Sequence, residues 1–202
     1  MDRHLQLVIL SGGQNRRFNG QSKAFIKFQG LPLYQRIMKA AGVKKAMVIA
    51  NSKKDQACFI HDPKITFFTD IIKGKGPLSG VHAALKHAKS DFILLMPSDL
   101  PLMNTKTILF LIQHIDPEYD AIIPVSKGIM HPLSAIYAKR INTKLESFLY
   151  NTSKTSVKKF LRQISPLYLN MPEEDVYQQA FRNMNTPEDY HSLLKSVDNE
   201  NQ

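Results

Sequence analysis

Phosphate chemistry needs backbone N–H groups that can approach an anion, fixed cations to offset charge, and oxygen ligands for a divalent metal. The chain offers the first two within its first twenty-five residues. An apolar run, residues 5–10, breaks directly into Ser11-Gly12-Gly13, followed by Arg16, Arg17, Asn19-Gly20 and Lys23. Two consecutive glycines lack the Cβ atoms that would hold a phosphate away, and a buried strand opening into such a loop is how α/β proteins present amides to anions. The spacing matches neither the G-x-x-x-x-G-K-[ST] loop nor the G-x-G-x-x-G dinucleotide fingerprint. A plain Gly turn is the alternative reading; the position after the first strand and the spaced cations favour phosphate binding.

Three more polar residues close predicted strands. Asn51 follows the run 46–50, Asp70 follows 65–69, and Asp99 follows 91–96. Asp99 lies between Pro97 and Pro101, and a carboxylate there suits Mg²⁺, which takes one or two carboxylates with phosphate oxygens and water. A helix cap or turn carboxylate is the plain alternative. Asp70 can accept from the N–H groups of a guanine, and Asn51 can donate or accept. Arg17 and Lys23 are the expected counter-charges of a triphosphate. No Ser/His/Asp constellation is present, as expected for a transfer driven by positioning and charge. His82 and His87 are expected on a helix surface, His131 in a loop near the site, and Cys58 in a structural role.

The elements that must hold these residues are read from periodicity. Helices are predicted from Pro32 to Gly42, over 53–60, from Val81 to Ala88, over 105–115 with Asn104 as cap, over 138–150 and 153–164, and from Thr186 onward. Strands are predicted at 5–10, 46–50, 65–69, 91–96, 120–125, 132–137 and 167–169, with residues 70–80 forming a second glycine-rich loop. The run DFILLM (91–96) has no alternation after its first residue, the signature of a central strand covered on both faces. Strands alternating with helices predict an α/β fold, an open, mostly parallel sheet with helices on both faces. Ligands bind such sheets beyond the carboxyl ends of the strands, where all four candidate sites fall.

Bulk composition narrows the class. With 202 residues and 43% apolar content, one globular domain over 1–197 is expected, with a polar, frayed tail at 198–202. No apolar run reaches membrane-span length, there is no secretory h-region, and a single cysteine forms no internal disulfide, so a cytoplasmic protein with no membrane partner is expected. The formal charge of +10 favours anionic partners, but the lysines are dispersed without aromatic interleaving, so nucleic acid is not an expected partner.

The segments LVILSGGQNRRFNGQSK, Asn51, TDIIKGKGPLSGVHAAL, FILLMPSDLPLM, MHPLSAIY and NMNTPEDY resemble, in order, the molybdenum cofactor guanylyltransferases, the MobA proteins. The resemblance implies a Rossmann-like nucleotidyltransferase fold of three αβα layers, and GMP transfer from Mg·GTP to the terminal phosphate of molybdopterin or Mo-molybdopterin. It puts the GTP-contacting residues on Leu10, Ser11, Gly12, Lys23, Asn51, Asp70 and Asp99, and magnesium on Asp99. Arg17, Lys23 and Asp99 would carry catalysis. The segments 131–135 and 183–187 would line the pterin side, molybdoenzymes and other cofactor-biosynthesis proteins would be partners, and a monomer is expected. Four positions depart from the family pattern: Ser11 replaces an alanine, Phe18-Asn19 a Met-Gly, and Ser22 an aspartate. The rival readings are a transferase using CTP or a sugar phosphate, a non-catalytic GTP-binding relative, and a basic nucleic-acid-binding module.

Overall fold

The computed structural model describes residues 5–11 and 22–200, with side chains through residue 196. Its centre is β1 (Leu5–Ser11), whose residues are covered on both faces. On one side β1 pairs in parallel with β4 (Ala46–Ala50), which pairs with β5 (Ile65–Phe68) at the sheet edge. On the other it pairs in parallel with β6 (Phe92–Pro97). Next to β6 lies β9 (Ala135–Ala138), antiparallel to β6 and to β7 (Ala121–Ser126). β10 (Pro166–Asn170) closes the far edge, and β8 (Ile129–Met130) extends β7 as a short hairpin. The sheet is therefore open and mostly parallel, as predicted, with one reversed strand inside it.

Alternation along β1 divides the core. Leu5, Leu7 and Ile9 point into a cluster with α1 (Leu33–Ala40), α2 (Lys53–Phe59), α4 (Thr105–Ile112) and α7 (Asp175–Gln179). Val8 and Leu10 face the other cluster, formed with α3 (Pro77–His87), α5 (Asn142–Asn151) and α6 (Val157–Leu161). Burying a Leu, Ile or Val side chain contributes about 1.5–3 kcal/mol, so these two faces hold the sheet in place. The small antiparallel pair β2 (Lys27–Phe28) and β3 (Leu31–Pro32) packs against α8 (Pro187–Glu200) through Phe28, Leu33, Met184 and Leu193.

Several boundaries differ from the sequence reading. Helix α3 starts at Pro77, not Val81, because Gly76 at φ +64° ends the loop and Pro77 takes the first helical position. The strand expected over 132–137 is Ala135–Ala138, since residues 132–134 turn and Tyr137 Oη donates to the Pro132 carbonyl (2.7 Å). The helix expected over 153–164 shrinks to α6. Residues 152–155 are tied to the second glycine loop instead: Lys75 Nζ donates to the Thr152 carbonyl and Thr155 Oγ1 to the Lys75 carbonyl. The first part of 138–150 is a 3-10 turn, Lys139–Ile141, and α7 is too short to show periodicity. Asn104 caps α4 by accepting from the Thr107 amide (2.9 Å). The Thr186 and Asp189 capping pair opens α8, whose backbone is helical through Glu200.

Candidate functional site

Strand register brings the candidate residues together. Ser11 lies beside Ala50, and Leu10 beside Pro97, so the carboxyl ends of β4, β1 and β6 are level. Asn51, Ser11 and Asp99 accordingly lie along one rim. A cleft of about 390 Å³ opens there, lined by Leu10, Ser11, Lys23, Asn51, Asp70 and Asp99 among others. Gly12 and Arg17, with Gly13 and Arg16, lie outside the described residues.

Asp99 is held by its backbone. The Ser98 amide donates to the Leu10 carbonyl (3.0 Å), the Met184 amide donates to the Asp99 carbonyl (2.8 Å), and Arg36 Nε donates to the Pro101 carbonyl (3.0 Å). The side chain is thus presented without being consumed. Its Oδ2 lies 3.7 Å from Lys23 Nζ, while Oδ1 is buried and has no hydrogen-bond partner among the described residues. Burial pushes the Asp99 carboxyl above the usual carboxylate range, and the Lys23 charge pulls it partly back.

Lys23 belongs to a 3-10 turn, Lys23–Phe25, seated by Phe25, whose ring packs on Tyr34 and Phe59. Its ammonium donates to Asn185 Oδ1 at 2.8 Å. The departure at Ser22 is resolved here. Ser22 is buried, its hydroxyl without a partner among the described residues, and Lys23 is aimed by Asn185 and Asp99. The sequence put Asn185 in the 183–187 segment expected on the pterin side and next to a helix-opening motif, neither of which carries a sign of Lys23 as its partner.

On the other side of the cleft, Asn51 and Asp70 bind each other. Asn51 Nδ2 donates to Asp70 Oδ2 (2.7 Å), and the Asp70 amide donates to Asn51 Oδ1 (2.8 Å). One carboxylate oxygen, Asp70 Oδ1, stays buried and has no hydrogen-bond partner among the described residues. Burial raises the Asp70 carboxyl, opposed by the Asn51 hydrogen bond, then by Lys73 and His82. Gly80 of α3 lets the helix approach this corner: a Cβ there would stand 3.1 Å from Leu10 Cδ2 and 3.8 Å from Asp70 Oδ1. Gly76 and Pro77, at the start of α3, also line the cleft and direct the positive end of the helix toward it.

Ser11 has its own partner, missed at the sequence level. Its hydroxyl donates to Asp55 Oδ2 (3.2 Å), both residues being buried. The histidine readings need correction. His82 is fully buried in α3, with Nε2 3.5 Å from Glu146 Oε1, because α5 covers the helix face expected to meet water. His87 is half-buried and stacks on Phe68 at 3.8 Å. His131 is in a loop as expected, its ring on Phe181, while its neighbour Leu133 lines the cleft. Cys58 is exposed, so it packs no core.

For a divalent ion, the donor chemistry is oxygen and sparse. Among the described residues there is no cluster of three His, Cys, Asp or Glu side chains, and Asp99 Oδ1 is the orphaned carboxylate oxygen nearest the lysine. One carboxylate beside a lysine in an open cleft fits Mg²⁺, which keeps waters and shares its shell with substrate phosphates.

The family model described as the MobA-like NTP transferase domain matches residues 7–169. A protein of Bacillus velezensis bearing the name "Probable molybdenum cofactor guanylyltransferase" is 31% identical over 96% of this chain and 97% of its own length. A Clostridium perfringens protein of the same name is 32% identical, over 93% and 95%. Among solved structures, the molybdopterin-guanine dinucleotide biosynthesis protein A of Archaeoglobus fulgidus superposes with a TM-score of 0.78 at 22% identity, covering 96% of this chain and 99% of that one. The 4-diphosphocytidyl-2C-methyl-D-erythritol synthase of Anaerococcus prevotii shares the fold at a TM-score of 0.70 and 10% identity, over 97% and 99%.

Proposed function

The chain belongs to the MobA-like NTP transferase family, and on that premise we propose that it is a GTP:molybdopterin guanylyltransferase. The observation that carries the reading is the single rim on which Lys23, Asp99 and the Asn51–Asp70 pair line one cleft. Two stretches far apart in sequence add to it, through Leu133 in the lining and Asn185 on Lys23.

In this reading a phosphate oxygen of molybdopterin or Mo-molybdopterin, already anionic, attacks the α-phosphorus of GTP. The new O–P bond forms as the bond to the bridging oxygen breaks, and pyrophosphate leaves with the electron pair. No general base is required. Lys23, held by Asn185, offsets charge on the leaving group, with Arg17 as its expected companion. Asp99 supplies the carboxylate that holds Mg²⁺, which when bound neutralises phosphate charge as a Lewis acid. Asp70 Oδ1, an acceptor with no bond among the described residues, suits a purine that presents adjacent N–H donors, as guanine does. Asn51 fixes that carboxylate's orientation. Molybdoenzymes and cofactor-biosynthesis proteins as recipients, a monomeric state and a cytoplasmic location belong to the same proposal; none of the described helices is long and apolar enough to cross a membrane.

The test is a purified transfer assay with GTP, CTP and UTP in turn, with and without Mg²⁺. GMP transfer to molybdopterin that requires Mg²⁺ is expected. Asp99→Ala is expected to lower the rate by about 10²–10³-fold while the protein stays folded by circular dichroism. Parental rates in that variant would remove the metal role. Preferential use of CTP would reassign the base, and GTP binding without transfer would mark a non-catalytic relative.

A further inference from the structure

The opposite rim, at the amino ends of the strands, carries a feature the transferase reaction leaves unused. A groove of about 450 Å³ runs between the end of α1 and the start of β5, with Leu31, Met38 and Val43 as apolar floor and Lys39, Lys44 and Lys64 around it. A second groove of the same size adjoins it at Val43 and adds Lys45 and Lys89. All five lysines are exposed, and no ion pair joins any of them to a described residue. Asp62 is the one carboxylate in either lining, and both its oxygens are engaged: Tyr34 Oη donates to Oδ2 and the Lys64 amide to Oδ1. Asp62 still carries its charge, so among the described residues five lysines face one carboxylate and the linings are net positive.

We propose that this amino-terminal rim docks an acidic, partly apolar segment of a partner protein. Charge complementarity would steer the encounter, and the apolar floor would retain what the lysines attract. Nucleic acid fits less well. Sequence-tolerant binding of strands needs exposed aromatic faces, and the first groove has none; in the second, the face of Phe68 is occupied by the His87 ring at 3.8 Å. Because the nucleotide cleft lies at the other ends of the same strands, a partner held here leaves that cleft open. An acceptor of the product could stay bound through turnover.

Fluorescence anisotropy with a labelled Glu/Leu peptide tests this, beside a Lys/Leu peptide and a duplex RNA, at about 0.15 M salt where the Debye length is roughly 8 Å. The full-length protein should bind the acidic peptide alone. Lys39→Glu/Lys44→Glu/Lys64→Glu should weaken it by about tenfold or more, with nucleotide transfer unchanged. Lys154→Glu/Lys158→Glu/Lys159→Glu removes the same charge elsewhere and should leave binding within about threefold. The neutral set Lys39→Gln/Lys44→Gln/Lys64→Gln should fall between, guarding against a misfolded reversal variant. Equal loss in the two reversal variants would reduce the effect to net charge. Tighter RNA binding would make the rim a nucleic-acid surface, and no peptide binding would overturn the proposal.

Discussion

Asp99 is kept in a state that costs the fold something. Burial raises its carboxyl above the range of an unfolded aspartate, so the native state favours the protonated form. For such a group the stabilising contribution is complete below an unfolded pKa of about 3.9 and is lost as pH rises through the folded value. Once pH exceeds the folded value the carboxylate is ionised in both states, and its desolvation weighs against folding, with Lys23 offsetting only part. Asp99→Asn, which cannot ionise, is therefore expected to melt no lower than the parent at pH 7, and the gap to close below about pH 4. A thermal melt at both pH values decides it; a variant that melts well below the parent at neutral pH would mean Asp99 is structural. Asn185 makes the complementary case. Asn185→Ala removes the acceptor that aims Lys23, and kcat should fall about tenfold while GTP binding changes little. Asn185→Asp keeps an acceptor and should recover much of that rate; a loss that appears wholly in KM would show that Asn185 contacts substrate instead.

The elements explain which parts of this site the sequence made legible. Strand ends were readable because buried strands announce themselves as apolar runs, and Asn51, Asp70 and Asp99 each lie within two residues of the end of one. The pairing of Asn51 with Asp70, of Ser11 with Asp55 and of Lys23 with Asn185 was not, because each joins side chains from separate elements and leaves no local pattern. His82 was misread for a related reason: the face it presents is decided by where α5 packs. The helix α3 offers a test at this scale, because its two site glycines answer to different constraints. Gly76, at φ +64° and ψ −148° with open space around it, is fixed by backbone conformation, and Gly76→Ala should cost roughly 1–3 kcal/mol of stability. Gly80 has ordinary helical dihedrals but a crowded Cβ direction, pointing at Leu10, Asp70 and Ile49. Gly80→Ala should raise the KM for GTP roughly tenfold with little change in melting temperature. Reversal of these two phenotypes would mean the backbone account of the loop is wrong.

Over the whole molecule, acid sensitivity should be governed more by histidines than by carboxylates above pH 5. Burial lowers the pKa of His82, His87 and His131 alike, each held against a neighbour: Glu146, Phe68 and Phe181. A base whose folded pKa is depressed contributes stability above its unfolded value, about 6.5, and loses it as pH falls toward the folded one. The unfolded chain then binds protons that the native state refuses. His82 should matter most, being fully buried, although Glu146, and more weakly Asp70, draw its pKa back upward while Lys86 lowers it further. Urea unfolding between pH 7.5 and pH 5 is expected to show stability falling from about pH 6.5 downward. In His82→Gln, which keeps a polar side chain but cannot take up that proton, the fall should be shallower with the same midpoint shape. The sheet would be unaffected, since α3 retains Leu78, Val81 and Leu85 in its cluster. An identical slope in the two proteins would assign the acid limb to His87 and His131, whose rings are only partly covered and can reach water with little rearrangement.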